Sequence, residues 1–146
     1  MPAFQHNDFL LEIPEKWGDY SVVTMVELPS NNGKQGFQHS IVVTQDAIGE
    51  KMKLKEYVDA QIGNILNSFQ DCSIDLQEDA PMNDMEGCRI IFTWQHPDTG
   101  QIFKQMQQYL LKGLRIIVIT GTAIKETFDD NRQKFDEIMK SFRFAG

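Results

Sequence analysis

Residue types that bind metals or act as nucleophiles are few in this chain, and their spacing matches no catalytic pattern. The three histidines, His6, His39 and His96, lack the i, i+4 spacing that places two imidazoles on one metal ion. Cys72 and Cys88 do not form a C-x-x-C pair, which argues against a zinc site or a disulfide framework. We therefore expect no metal, and we interpret both cysteines as small hydrophobic residues that stay reduced.

Motifs of the common enzyme classes are missing as well. The sequence has no G-x-S-x-G elbow, no P-loop and no G-x-G-x-x-G fingerprint, so acyl transfer, nucleotide hydrolysis and dinucleotide binding lack support. The Asp-Asp-Asn run at 129–131 is explained by a helix start, because the glycine and distal glutamate of an EF-hand do not follow it. We expect a protein that is not an enzyme, with no catalytic residue and no cofactor. An enzyme with a dispersed active site is the least favoured alternative.

Composition and charge limit the kinds of partner. The 146 residues are 41% hydrophobic and 24% charged, which predicts a single globular domain over residues 1–146. The formal net charge is -7 and the basic residues are scattered, so nucleic acids and anionic membrane surfaces would repel the chain. No apolar run approaches the roughly 20 residues that span a bilayer, and residues 1–9 do not resemble a signal peptide. We expect a cytoplasmic protein without a membrane anchor.

Hydrophobic periodicity predicts an antiparallel α+β fold. Residues 54–69 show the i, i+3, i+4 pattern of an amphipathic helix, and a second helix follows Thr127, which we expect to cap it. The order of strands, helix, strands and helix predicts an antiparallel sheet of six to seven strands with two main helices. The predicted strands are 8–13, 20–28, 38–46, 72–76, 87–96, 101–111 and 114–123.

Amide side chains at positions where burial is expected mark a candidate binding surface. Gln61 falls within the apolar stripe of the first helix. Gln105 and Gln107 share a strand face with apolar residues of the following strand. A buried amide left unpaired costs about 1 to 3 kcal/mol, so these side chains need partners in the fold or in a bound molecule. For Gln61 the two explanations are equally favoured.

The predicted strands 20–28 and 38–46 form a hairpin that predicts an apolar surface that no helix covers. If the helices cover one side of the sheet, then Val23, Met25, Ser40 and Val42 point to the opposite side. Large exposed apolar patches usually mark interaction sites, so we expect a groove for an apolar peptide. In the alternative, the second helix covers that face and produces an α/β/α sandwich without a groove.

Three segments resemble a known family. They are FLLEIPEKW at 9–17, QMQQ at 105–108 running to ITGT at 119–122, and FDEIMKSF at 135–142. Over nearly the whole chain they are similar to the DcrB-like, PsbP-like fold family. A chain that begins directly at this domain resembles the cytoplasmic Eag chaperones of type VI secretion effectors. The resemblance implies a homodimer that binds and shields the N-terminal transmembrane helices of an effector before export.

The resemblance also implies which side chains contact the guest helix. In such chaperones aliphatic side chains pack on the helix, and Gln or Ser side chains hydrogen-bond it as a neighbouring membrane helix would. The corresponding partner-binding positions are Val23, Met25, Ser40, Val42, Gln61, Gln105 and Gln107. The alternative function is a PsbP-like protein-binding scaffold or assembly factor that shields no helix.

Overall fold

The computed structural model describes residues 3–6, 9–12, 14–15, 22–26 and 39–144. The connection between the predicted strands 20–28 and 38–46 lies outside these residues. The strands and helices are β1 Ala3–His6, β2 Phe9–Glu12, β3 Val23–Val26, β4 Ser40–Ala47, α1 Leu54–Ser68, β5 Gln70–Asp79, β6 Glu86–Gln95, β7 Ile102–Lys112, β8 Arg115–Ile124 and α2 Lys125–Lys140. Strands β1 and β2 pair with each other, and the other six form an antiparallel sheet in the order β3-β4-β8-β7-β6-β5. This arrangement confirms the predicted α+β fold.

The two helices pack on opposite faces of the six-stranded sheet. Ile90 and Ile91 are neighbours on β6, and they belong to different hydrophobic clusters because strand side chains alternate between faces. The cluster around Ile90 includes the buried residues of α1, and the cluster around Ile91 includes the buried apolar residues of α2. We call these two sides of the sheet the α1 face and the α2 face. The α/β/α arrangement is therefore present in this part of the chain.

Close packing of α2 on the sheet depends on a glycine. A Cβ atom at Gly121 of β8 would lie 2.8 Å from the ring of Phe135, so only glycine lets the helix approach this far. Phe135 is 2% exposed and Phe128 is 1% exposed. These two aromatic side chains of α2 thus form the centre of the α2 face.

Two local predictions were wrong. Helix α2 begins at Lys125, two residues before the predicted cap, and its N-cap residue Ile124 makes no side-chain capping bond. Thr127 lies inside the first turn, where its hydroxyl contacts the carbonyl oxygen of Ile124 at 3.4 Å.

The prediction that Val23 and Met25 share a side with Ser40 and Val42 was also wrong. The β3–β4 register pairs Val23 with Val43, Thr24 with Val42, Met25 with Ile41 and Val26 with Ser40. Directly paired residues share a face, so Val23 and Met25 lie on the α2 face with Ile41 and Val43. Because the side-chain period of a strand is two, an error of one residue across the connecting loop moves the whole strand to the other face.

Candidate functional site

Within the described residues, helix α1 covers only part of the α1 face of the sheet. Helix α1 contacts β5 and β6, while α2 contacts β7 and β8 from the other side. Beside α1, on β4, β8 and β7, lie seven uncharged side chains that are neither fully buried nor fully exposed. We call them the floor: Ser40, Val42, Thr44, Gln105, Gln107, Thr120 and Thr122.

Gln105 lies at the centre of one hydrogen-bonded row across the floor. Its Oε1 accepts from Trp94 Nε1 at 2.8 Å, and its Nε2 donates to Thr122 Oγ1 at 2.9 Å. The row crosses three strands, since Trp94 is on β6 and Thr122 is on β8. These two bonds fix the orientation of the amide before anything binds.

Gln107 forms a second row, parallel to the first. Its Oε1 accepts from the Tyr109 hydroxyl, and its Nε2 donates to Thr120 Oγ1 at 3.3 Å. Burial, followed by the nearby Tyr57 and Cys88, raises the pKa of Tyr109. The phenol therefore stays protonated and remains a donor to Gln107.

Both rows keep unused hydrogen-bonding capacity. Each glutamine nitrogen carries a second N–H, and the hydroxyl groups of Thr120 and Thr122 still hold a hydrogen to donate after accepting from the amides. The floor thus combines side chains in fixed orientations with donors that can reach a bound molecule. That combination suits the recognition of a polypeptide.

Aromatic side chains border the floor at both ends. At one end, Tyr57 of α1 donates its hydroxyl to Asp46 Oδ2 at 2.8 Å, and its ring meets that of Tyr109 edge-on with centroids 6.2 Å apart. Burial, then the hydrogen bond and charge of Asp46, raises the pKa of Tyr57. At the other end, the centroid of the Trp94 ring lies 4.6 Å from that of Phe69 and 5.0 Å from that of Phe103.

Gln61 lies on the edge of α1 that borders the floor. It follows Tyr57 by one helical turn, so both side chains lie on the same side of the helix. Gln61 is half-buried, and its amide has no hydrogen-bond partner among the described residues. The structure therefore brings five of the predicted positions to one surface, Ser40, Val42, Gln61, Gln105 and Gln107, and leaves Val23 and Met25 on the other face.

The sequence interpretation missed Trp94 and Thr122 as parts of this surface. A signal was present, because Gln105 and Gln107 were placed opposite the strand that carries Thr120, and extending that register reaches Thr122. The contribution of Trp94 depends on the neighbouring strand on the other side, whose register the sequence did not provide.

The cysteines lie outside the floor and far from each other. In the β5–β6 register, Cys88 pairs with Asp79 and Thr93 with Ser73, so Cys72 lies seven residues before Asp79 on β5 and about 20 Å from Cys88. Burial, followed by the charge of Asp75 for Cys72 and of Asp79 for Cys88, raises the pKa of both thiols.

No group of three or more potential metal ligands occurs in the described part of the chain. None of its helices is long and apolar enough to cross a membrane.

A known protein family matches most of the chain. The family model of DcrB matches residues 10–141. The chain belongs to the DcrB family. This confirms the family predicted from the three sequence segments. None of the curated proteins matches the chain.

Several solved structures share the fold of this chain. PA94 from Pseudomonas aeruginosa, a protein of unknown function described as a putative regulator, has a TM-score of 0.79 and 18% identity, covering 100% of this chain and 98% of its own. The cyanobacterial PsbP (CyanoP) of Synechocystis sp. PCC 6803 has a TM-score of 0.58 and 9% identity, covering 92% and 99%. LpqN of Mycobacterium tuberculosis, involved in cell envelope biogenesis, has a TM-score of 0.61 and 8% identity, covering 97% and 87%. These likenesses show a shared PsbP-like fold.

Proposed function

We propose that this DcrB-family protein is a cytoplasmic chaperone that binds the N-terminal transmembrane helices of a type VI secretion effector and shields them until export. It acts as a homodimer and does no chemistry of its own. The observation that carries the proposal is the floor, a partly exposed, uncharged surface with fixed amides and unused hydrogen-bond donors. Membership of the DcrB family and the PsbP-like fold support the broader statement that the protein binds other proteins.

A transmembrane helix needs two kinds of contact when no bilayer surrounds it. Its apolar side chains must be kept from water, and its occasional polar groups must find partners such as those offered by a neighbouring membrane helix. On the floor, Val42 and the aromatic border around Trp94 provide apolar area, while Gln105 and Gln107 provide the amides.

Fixed orientation of the amides favours binding. Ordering a long side chain at an interface costs about 0.5 to 1.5 kcal/mol, and this cost is lower when the side chain is already held. Gln105 is held by two hydrogen bonds in the free protein. Gln61, which has no such partner among the described residues, is free to bond directly to the guest.

Co-expression with a candidate effector tests the proposal. The partner is an effector with N-terminal transmembrane segments encoded beside the gene for this protein, compared with a version of it that lacks those segments. We expect the tagged chaperone to recover the full effector from the soluble fraction and to leave the shortened version behind. Equal recovery of both versions would rule out helix shielding and leave a scaffold that binds elsewhere on the effector.

Variants of the floor and of the neighbouring Gln61, with matched controls, locate the contact. Val42→Asp places a charge against an apolar guest, which costs several kcal/mol and should abolish recovery. Gln61→Ala and Gln105→Ala each remove contacts worth on the order of 1 kcal/mol, so affinity should fall about fivefold. Ile138→Asp and Gln133→Ala make the matching changes, an aliphatic residue to Asp and a Gln to Ala, on the exposed surface of α2, and we expect no loss of recovery. Losses as large in these controls as in the floor variants would contradict the assignment.

A further inference from the structure

The two edges of the main sheet differ in how they are protected. At one edge, β5 has register shifts between Gln70 and Ser73 and between Ile74 and Leu76. Its exposed acidic residues are Asp71, Asp75, Glu78 and Asp79. Irregular register and charge are the usual means of preventing an edge strand from pairing with another chain.

The opposite edge, β3, has neither protection within the described residues. Its register against β4 is regular over all four residues, and the segment 22–26 contains no charged residue. Val22 is 55% exposed, Met25 is 64% exposed and Val26 is 44% exposed. A regular edge strand with exposed apolar side chains is a site for strand addition.

Charge favours a second copy of this chain at β3 over β5. Each copy carries a formal net charge of -7, so two copies repel one another except where the approaching surfaces are uncharged. Pairing through β5 would bring two sets of acidic side chains together. Pairing through β3 brings together only valine, threonine and methionine.

The sequence of β3 is also complementary to itself. In an antiparallel pair centred on Thr24, Val22 lies opposite Val26 of the partner subunit, and Val23 lies opposite Met25 of the partner subunit. This register pairs all five residues of the segment. Thr24 lies opposite Thr24 of the partner subunit, and in the other pairs both side chains are apolar. A two-fold axis perpendicular to the sheet relates the two copies, so the α1 faces of both copies lie on the same side.

We propose that two copies join through β3 in this register and form one continuous sheet of twelve strands. The partner copy then completes the binding surface, an argument that rests on the proposed function. From β7 to β3 a single copy spans three strand spacings, about 14 Å, whereas a transmembrane helix needs about 30 Å. Two copies joined at β3 span seven spacings from β7 to β7, about 34 Å. Val23 and Met25 become contacts between the copies instead of contacts to the guest.

Disulfide cross-linking and molar mass test this interface. In a Cys72→Ser background, Thr24→Cys places two thiols at the two-fold axis, where directly opposed strand residues have the separation a disulfide needs. We expect a covalent dimer of twice 16.8 kDa on mild oxidation. Ser73→Cys, on the exposed edge strand β5, is the matched control and should remain a monomer under denaturing conditions.

A charge variant measures the same contact without oxidation. Met25→Lys alters a side chain that is 64% exposed, so the fold should tolerate it, but the two-fold axis brings the added charges of both copies close together. We expect light scattering to show 16.8 kDa for Met25→Lys and twice that mass for wild type and for Leu66→Lys, an exposed control on α1.

The outcomes separate this inference from the proposed function. A wild-type monomer at all concentrations, or a dimer that resists Met25→Lys and is not cross-linked through Thr24→Cys, would overturn the β3 interface. If such a monomer still recovered the full effector, the proposed function would stand without it. A dimer with both expected responses that recovered no effector would support the interface and overturn the function.

Discussion

Gln107 and Gln108 are neighbours on β7, and their side chains lie on opposite faces of the sheet. Gln108 is fully buried on the α2 face, where its Nε2 donates to the carbonyl oxygen of Ala80 at 2.8 Å and its Oε1 accepts from Arg89 Nε at 3.0 Å. Gln107 is partly exposed on the floor and bonds only to the side chains beside it. The same residue type thus connects structural elements on one face and presents donors on the other.

The network around Gln108 extends into α2. Arg89 Nη1 donates to Asp136 Oδ1 at 2.7 Å, and Lys140 bonds the other carboxylate oxygen at 2.8 Å. These bonds tie β6, β7, the segment after β5 and the last helix to one another. No buried side-chain nitrogen or oxygen lacks a partner in the described part of the chain. Fully paired buried networks of this kind make a structure rigid.

The polar side chains of the two faces therefore have different roles. The buried polar groups on the α2 face form hydrogen bonds and ion pairs that hold elements together, so changes there should reduce stability. The polar groups on the floor keep N–H and O–H donors that make no bond within the protein, so changes there should reduce binding with little effect on stability. Three pairs of measurements test this difference between the two faces.

Phenylalanine truncation should produce the largest contrast. Phe135→Ala removes a ring that is 2% exposed and packed on Gly121, which should lower the free energy of unfolding by about 3 to 5 kcal/mol. Phe103→Ala removes a half-buried ring stacked on Trp94, and we expect a loss of about 1 kcal/mol. Urea unfolding of both variants gives the two values. Similar losses would mean that the aromatic border of the floor is packed as tightly as the centre of the α2 face.

The adjacent glutamines should give the next largest contrast. Gln108→Leu leaves the Arg89 N–H and the Ala80 carbonyl without their partner, at a cost of about 1 to 3 kcal/mol. Gln107→Leu leaves groups that water can reach, so its cost should be below about 1 kcal/mol. Effector recovery should change in the opposite sense, falling for Gln107→Leu and persisting for Gln108→Leu at temperatures where that variant is folded. The reverse order in either measurement would contradict the division between the faces.

Periodicity within elements was enough to predict most of the fold. The stripe at 54–69 predicted α1 to within one residue, and the alternation in 101–123 placed Gln105 and Gln107 opposite the correct strand. These predictions succeed because they depend on neighbours one turn or one short hairpin away.

Contacts between distant segments could not be predicted in the same way. Gln108 stands in the same QMQQ run as the other two glutamines, but its partner Arg89 is 19 positions away and Asp136 is 47 positions from Arg89. The face of Val23 and Met25 depends on a register across a loop, where one residue decides the result. Local patterns carry neither kind of information.

Acid titration should reveal the smallest of the three effects. Burial raises the pKa of Asp136, but hydrogen bonds from Lys140 and Arg89 and their charges outweigh it and hold that pKa below its usual range. Because the folded pKa is the lower one, the stabilisation is present above the unfolded pKa of about 4 and is lost as the pH falls through the folded pKa. Asp136→Asn should therefore be less stable than wild type at neutral pH, by about 1 kcal/mol or less because the carboxylate is partly exposed. The difference should shrink below pH 4, as urea unfolding at several pH values can show. Gln107→Leu, which changes no titrating group, should differ from wild type equally at each pH. A constant difference for Asp136→Asn would mean that the Arg89 and Lys140 contacts do not stabilise the carboxylate.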